Sequence, residues 1–257
     1  HIAVFLNLYE DHLDFYGDRA TYFQAKRHIT EFQGEDDFLY IGTDVPELST
    51  RAEVTRVADT LKDAPMTILG EHNRYNASFA GNIAAERFYI PEEKIKKAIE
   101  EFPGLDHRLK FIGEYEGRRF YDDSISTIPE ATIQAAESVP DAAVILVGGM
   151  DREIDYTPLI KYMQKNRKLQ FICMYASGKR IYDSSVENGY GENLHLVDDL
   201  FAAVKLAKQI TPPGGACILS PAAASYGYFK NFEERGDVFK ELVGKIFYDN
   251  ILTNKKF

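Results

Sequence analysis

The chain has 257 residues, enough to bury a sizeable core in one or two domains, and its 45% hydrophobic and 27% charged residues are those of an ordinary globular protein. A formal net charge of −10 excludes the basic character of a nucleic-acid binder, while leaving room for phosphorylated small ligands held by a few basic groups and backbone N–H donors. No apolar run reaches the roughly 20 residues of a membrane helix and no secretory h-region opens the chain, and Cys173 and Cys217 lie in apolar runs typical of buried strands in a reducing compartment, so the expected location is the cytoplasm.

In chain order, residues 2–6 form an unbroken apolar run and predict a strand buried on both faces, as in parallel sheets. A chain opening directly on such a strand is expected to be part of a longer protein. The loop 7–18 follows, dense in acids and containing His12. His12 and those acids suit a divalent ion, but their spacing fits no zinc signature, and a salt-bridged surface loop is the competing reading. Asp18 predicts an N-cap for a helix over 19–31, with Tyr22, Lys26 and Ile29 along one partly apolar side. Residues 37–42 predict a second strand and 47–63 a polar connection. Residues 69–88 predict a turn leading into a helix whose Ala77, Ala80, Gly81, Ala84 and Ala85 would pack closely on a sheet. The first turn of that helix carries His72, Asn73 and Asn76. A second helix is predicted with Pro91 at its first position and Ile95, Ala98, Ile99 and Phe102 turned inward. Pro103 and Gly104 then break the chain and close a first unit.

Beyond the break the chain presents His107 and Arg108, runs through a short alternating strand, and reaches Asp122, Asp123 and the hydroxyl-rich turn Ser124, Ile125, Ser126, Thr127. Strands are predicted over 119–122, 143–147, 170–175, 194–197 and 216–219, and helices over 129–138, 158–165, 178–187, 199–210 and 231–247. Asn231 and Glu234 have the spacing of a capping box in the last helix. The alternation predicts an α/β fold, a mostly parallel sheet with helices on both faces.

Ligands of open parallel sheets bind beyond the carboxyl ends of the strands, which directs attention to the loops 7–18, 122–127, 148–155, 176–178 and 220–231. Gly148 and Gly149 allow close backbone approach, and Arg152 then offers a fork for a carboxylate, against the alternative of a tight turn with a solvated Arg. The small-residue loop 220–225 suits an anion or is simple turn chemistry. His195, inside a strand, is expected to be structural. Neither G-x-x-x-x-G-K-[ST] nor G-x-G-x-x-G occurs, so the usual phosphate cradles are missing. The residues alone therefore define a two-part α/β protein with a polar seam for a small anionic ligand.

Six segments in one order, NLYEDHLDFYGDRATYFQAKRHI, LGEHNRYNASFA, FPGLDHRLKF, FYDDSISTIPEAT, VGGMDR and LSPAAASYGYFKNFEERGDVF, resemble the Mur ligase superfamily over nearly the whole chain. FKNFEERGD favours its D-glutamate-adding branch. The resemblance implies that residues 1–104 are the C-terminal part of a central ATPase domain without its P-loop, and 105–257 a Rossmann-like, doubly wound C-terminal domain. It further implies ATP and Mg²⁺ as cofactors, and UDP-N-acetylmuramoyl-L-alanine and D-glutamate as substrates. Neither nucleic acid nor membrane is an expected partner, and the intact protein is expected to be a monomer. By position, His12 matches a Mg²⁺ ligand and Lys26 a lysine that family members carbamylate, which converts a cation into an oxygen donor suited to a hard metal. Asn73 and Asn76 match adenine contacts, and Arg108 and Asp123 nucleotide contacts. Thr127, Arg152, Ser225 and Phe232 fall where the family grips the incoming amino acid. Ile125 departs from the pattern, standing where many relatives have Lys. Competing expectations are another superfamily member, such as a folylpolyglutamate synthase, and a non-catalytic binding module. Without the P-loop, this chain alone is expected to be inactive.

Overall fold

A computed structural model of the chain describes residues 1–9, 13–59, 61 and 64–253. It divides into two compact units, His1–Pro103 and Gly104–Phe257. Among the described residues no helix is long and apolar enough to cross a membrane.

The first unit contains β1 (Ile2–Phe5), α1 (Leu13–Tyr16), α2 (Arg19–Arg27, continued by a 3₁₀ turn), β2 (Phe38–Gly42), β3 (Glu53–Val57), α3 (Glu71–Phe88) and α4 (Glu92–Glu101). Its three strands are parallel in the order β1-β2-β3. One sheet face buries Ala3, Phe5, Leu39 and Ile41 with Val45 and Leu48. The other buries Tyr40 and Val57 against Phe79. Asp18 caps α2 as expected, accepting from Thr21 N–H at 2.7 Å.

Three expectations are corrected here. The segment 47–63 contains a strand, β3, where a polar connection was expected. Only Val57 of EVTRV is buried, so its alternation is nearly silent, and the strand is defined instead by its parallel pairing with β2. The sheet-facing side of α3 is Tyr75, Phe79 and Ile83 rather than the small residues, and Ala80 and Ala85 are exposed. Gly81 instead faces Ile95 and Ile99 of α4. Pro91 is the N-cap of α4 rather than its first residue, and the helix buries nothing completely: Ala98 is exposed and Phe102, just past its end, is 42% exposed.

The second unit contains β4 (Lys110–Tyr115), β5 (Arg118–Asp122), α5 (Pro129–Ser138), β6 (Ala142–Val147), α6 (Thr157–Lys165), β7 (Gln170–Met174), α7 (Tyr175–Glu187), β8 (Leu194–Val197), α8 (Leu200–Ile210), β9 (Ala216–Leu219) and α9 (Phe232–Thr253). Strand order is β4-β5-β9-β6-β7-β8, with β4 antiparallel to β5 and the rest parallel. The chain therefore moves one way across the sheet from β5 to β8 and then returns, placing β9 between β5 and β6. Right-handed crossovers put helices of opposite travel on opposite faces. Accordingly α8 and α9 share one face, where Leu200, Ala203, Val204, Phe239 and Val243 meet Phe120, Val144, Leu146, Ile172 and Leu219. This is an α/β fold. α9 starts at a cap close to the expected one: Asn231 accepts from Glu234 N–H at 2.9 Å, while the Glu234 carboxylate reaches back to Lys230 N–H. Cys173 and Cys217 are buried free thiols in β7 and β9, the first pushed up to about 12 by burial. His195 meets Gln170 across the β7–β8 edge at 2.9 Å.

Candidate functional site

Because β9 is inserted between β5 and β6, the loops leaving these three strands emerge side by side, and backbone bonds lock them together. Asp123 N–H donates to Leu219 O (2.8 Å), Ser220 N–H to Leu146 O (3.2 Å), Gly148 N–H to Pro221 O (2.7 Å) and Met150 N–H to Ala224 O (2.8 Å). Gly148 is required here: its φ is +115°, and a Cβ would lie 1.9 Å from the Met174 carbonyl oxygen.

Beneath the loops is a buried polar cluster. Arg235, at the end of the first turn of α9, is 0% exposed. Its Nε donates to Ser124 Oγ (2.9 Å), Nη2 to Ser124 O (2.6 Å) and Nη1 to Ala223 O (3.0 Å), so one side chain joins the loops after β5 and β9. Burial lowers its pKa to about 10, partly offset by Asp122 and Asp123, and it remains a guanidinium at neutral pH. Ser124 Oγ in turn donates to Phe232 O at 2.8 Å. Asp122 lies 2.7 Å from His107 Nδ1 and accepts from Ser124 N–H at 2.9 Å. Burial pushes its carboxyl above the usual range, against the pull of Ser124 N–H, His107 and Arg235. The ring of His107 packs edge-on to Phe232, centroids 6.1 Å apart.

Asp123 is 4% exposed. One oxygen accepts from Leu109 N–H (3.0 Å) and the other from Ser220 Oγ (2.7 Å). Burial raises its pKa to about 6, opposed by hydrogen bonds from Ser126, Ser220 and Leu109. The carboxylate thus anchors the start of the turn whose later residue is Thr127. Ile125 is half-buried, and its N–H donates to His107 O at 3.1 Å.

The four residues expected at the amino-acid pocket lie on this loop cluster. Thr127 follows β5, Arg152 follows β6, and Ser225 and Phe232 follow β9. Arg152 Nη2 lies 3.4 Å from Thr127 O, and the Met150–Ala224 bridge sets the Arg152 loop beside the Ser225 loop. Thr127, Arg152 and Phe232 are half-buried and Ser225 is buried. Guanidinium, hydroxyls and an aromatic edge together are the donor set that a small carboxylate ligand needs. Arg108 is exposed in the same unit.

The remaining expected residues lie in the first unit. His12 falls outside the described residues. Lys26 is exposed on α2, its ammonium 5.1 Å from the centre of the Tyr22 ring. Asn73 is buried and donates to Leu69 O at 2.7 Å, leaving its carbonyl oxygen as acceptor, and Asn76 one turn on is exposed. Among the described residues there is no group of three or more His, Cys, Asp or Glu that could hold a metal ion. A pocket of about 570 Å³ opens past the end of β1, lined by Asn7, Tyr9, Arg19, Phe23 and Asp44 among others.

Sequence reasoning missed Arg235, and it placed Ser124 and Ser220 in strand-end loops without their roles as partners of Arg235 and Asp123. An Arg within the turn-rich segment FEERGD looks like a solvated helix residue. The one local mark of close packing beside it is Gly236, where a Cβ would run into His107 and Asp122.

The fold has known relatives. The Mur ligase middle domain matches residues 1–62. Solved structures with the same fold include MurF from Acinetobacter baumannii (TM-score 0.73, 16% identity, 95% of this chain and 59% of that one). A folylpolyglutamate synthase of Mycobacterium tuberculosis complexed with ADP also shares it (TM-score 0.69, 14% identity, 94% and 63%). The chain belongs to the Mur ligase superfamily. Within it, the chain is similar to UDP-N-acetylmuramoylalanine–D-glutamate ligases. That of Latilactobacillus sakei subsp. sakei (strain 23K) is 34% identical over 95% of this chain and 59% of the relative. That of Aquifex aeolicus (strain VF5) is 35% identical over 95% and 62%. The chain spans about three-fifths of the length of these curated relatives.

Proposed function

We propose that this chain is the C-terminal part of an ATP-dependent amide ligase of peptidoglycan precursor synthesis, which joins D-glutamate to UDP-N-acetylmuramoyl-L-alanine through an acyl phosphate. The observation that carries the reading is the convergence of Thr127, Arg152, Ser225 and Phe232 on the loops after β5, β6 and β9. Similarity to D-glutamate ligases over 95% of the chain supports the choice of amino acid. In this reading residues 1–104 are the later part of the ATPase domain and 105–257 the domain that brings the amino acid.

When bound, ATP with Mg²⁺ supplies the phosphoryl group that activates the acceptor carboxylate. Asn73 and Asn76 are the residues we assign to adenine, Arg108 and Asp123 to the nucleotide, and His12 and carbamylated Lys26 to the metal. Lys26 is exposed and open to such modification. Asp123 contributes by fixing its turn, since both of its oxygens are engaged within the protein. Arg152 holds a carboxylate of D-glutamate, with the Thr127 and Ser225 hydroxyls as further donors and the Phe232 ring as an apolar wall. Held this way, the D-glutamate amine is free to attack the acyl phosphate carbonyl; the C–O bond to phosphate breaks, inorganic phosphate leaves and the nitrogen gives up a proton as the amide forms, with proximity the contribution of this unit.

The test is Arg152→Ala in the full-length protein. Loss of one charge-assisted carboxylate contact is worth about 1.5–3 kcal/mol, so KM for D-glutamate should rise by roughly 10- to 100-fold with KM for ATP little changed. An unchanged KM for D-glutamate would reject the assignment.

A further inference from the structure

The segment that presents Arg152 is held from outside the amino-acid site by Arg180, in the second turn of α7. The Arg180 guanidinium forks onto Asp151, Nε to Oδ2 at 2.6 Å and Nη2 to Oδ1 at 2.8 Å. The same Nη2 donates to Ile154 O at 2.9 Å. Residues 151 and 154 flank Arg152 and Glu153, so one side chain fastens both ends of the two-residue tip. Between those ends Glu153 takes a left-handed backbone, φ +58°, and its N–H donates to Asp151 Oδ1 at 2.9 Å. A non-glycine residue holds that conformation only where its surroundings over-determine it. Arg180 is fixed in turn by lying 4.6 Å from the centre of the Tyr156 ring, which is 3% exposed. Burial raises the Asp151 carboxyl, but Arg180 and Glu153 N–H outweigh it and hold the group below its ordinary range.

We propose that Arg180 is a positioning residue for the incoming amino acid: by clamping Asp151 and the Ile154 carbonyl it fixes the backbone from which Arg152 reaches the pocket beside Thr127. This rests on the reading that Arg152 grips the substrate carboxylate. The two arginines have different duties. Arg152 is near the Thr127 carbonyl among the substrate loops. Arg180 has Nε and Nη2 committed to the protein. A lysine at 180 has a single ammonium and cannot fork onto a carboxylate and a carbonyl with the same geometry. Substrate affinity should therefore depend on the fork as well as on the charge.

The experiment uses the full-length protein and measures KM for D-glutamate, KM for ATP, kcat and Tm in Arg180→Ala, Arg180→Lys, Asp151→Asn, Arg152→Ala and the Arg152→Ala/Arg180→Ala double variant. Arg180→Ala should raise KM for D-glutamate about tenfold, equivalent to about 1.4 kcal/mol, with KM for ATP within about twofold. Arg180→Lys should recover only part of that affinity. Asp151→Asn, which keeps the side-chain shape, should move KM in the same direction. The double variant should be no worse than Arg152→Ala alone, because the clamp acts through Arg152. Additive losses in the double variant, or a lowered Tm with KM for D-glutamate unmoved, would overturn the proposal while leaving the role of Arg152 standing. If Arg152→Ala itself leaves KM for D-glutamate unchanged, the underlying reading fails and this proposal falls with it.

Discussion

Replacing Arg235 by Met removes the guanidinium and keeps an unbranched stem in the same space. Three hydrogen bonds from a charged donor are lost, to Ser124 Oγ, Ser124 O and Ala223 O. Bonds of that kind are worth roughly 1.5–3 kcal/mol each, roughly 5–9 kcal/mol together. Against this stands the cost of keeping the charge inside, expressed in the lowering of its pKa from the ordinary guanidinium range to about 10, which corresponds to roughly 3 kcal/mol. The balance is about 4 kcal/mol in favour of the native Arg, within the range seen when one partner of a buried charge network is deleted. The chain contains no Trp, so the assay is urea unfolding at pH 7 followed by far-UV circular dichroism. With an m-value near 2 kcal/mol/M, the unfolding midpoint of the second unit should fall by roughly 2 M. Arg235→Lys, which keeps charge without the fork, should fall between the two. A Met variant within about 1 kcal/mol of the native protein would refute the view that this residue ties the β5 and β9 loops together.

Asp123 gives a pH-dependent test. Its carboxyl is raised from 3.8 to about 6 by burial, so the stability it contributes is present below pH 3.8 and lost as pH rises through 6, where the buried group must ionise. Relative to Asp123→Asn, the native protein should therefore lose roughly 3 kcal/mol between pH 4 and pH 7, read as the change in the difference between the two unfolding free energies; a constant difference would count against it. Gly236→Ala would place a Cβ 2.2 Å from His107 Nδ1 and 2.5 Å from Asp122 Oδ2. It should split that pair and cost about 1–3 kcal/mol, visible in the unfolding curve and in the His107 ring resonances by NMR. Native stability with unshifted resonances would show that the pair does not pack against α9 as described.

The strand–helix alternation of the second unit was legible from residues 118 to 247 because each element signals itself locally. Apolar runs mark β6, β7 and β9, Asp199 caps α8 by accepting from Ala202 N–H at 2.8 Å, and Asn231 caps α9. The loops at the strand ends followed from the general geometry of parallel sheets. In the first unit the local signal weakened. β3 carries a single buried residue, and the small residues of α3 turned out not to mark the sheet face, because helix packing and sheet packing favour small side chains alike.

By itself, then, the sequence determined the strand–helix alternation of the second unit, the caps that start α2 and α9, and which polar loops lie at the strand ends, since these depend on neighbours within a few residues. Only the tertiary structure decided that β9 enters between β5 and β6, so that loops distant in the chain become adjacent. Arg235 meets Ser124 across 111 residues of sequence, and Arg180 reaches Asp151 across 29. Whether an arginine is solvated or is the buried centre of a polar cluster depends on such long-range contacts, and no local pattern of charge or hydrophobicity encodes them.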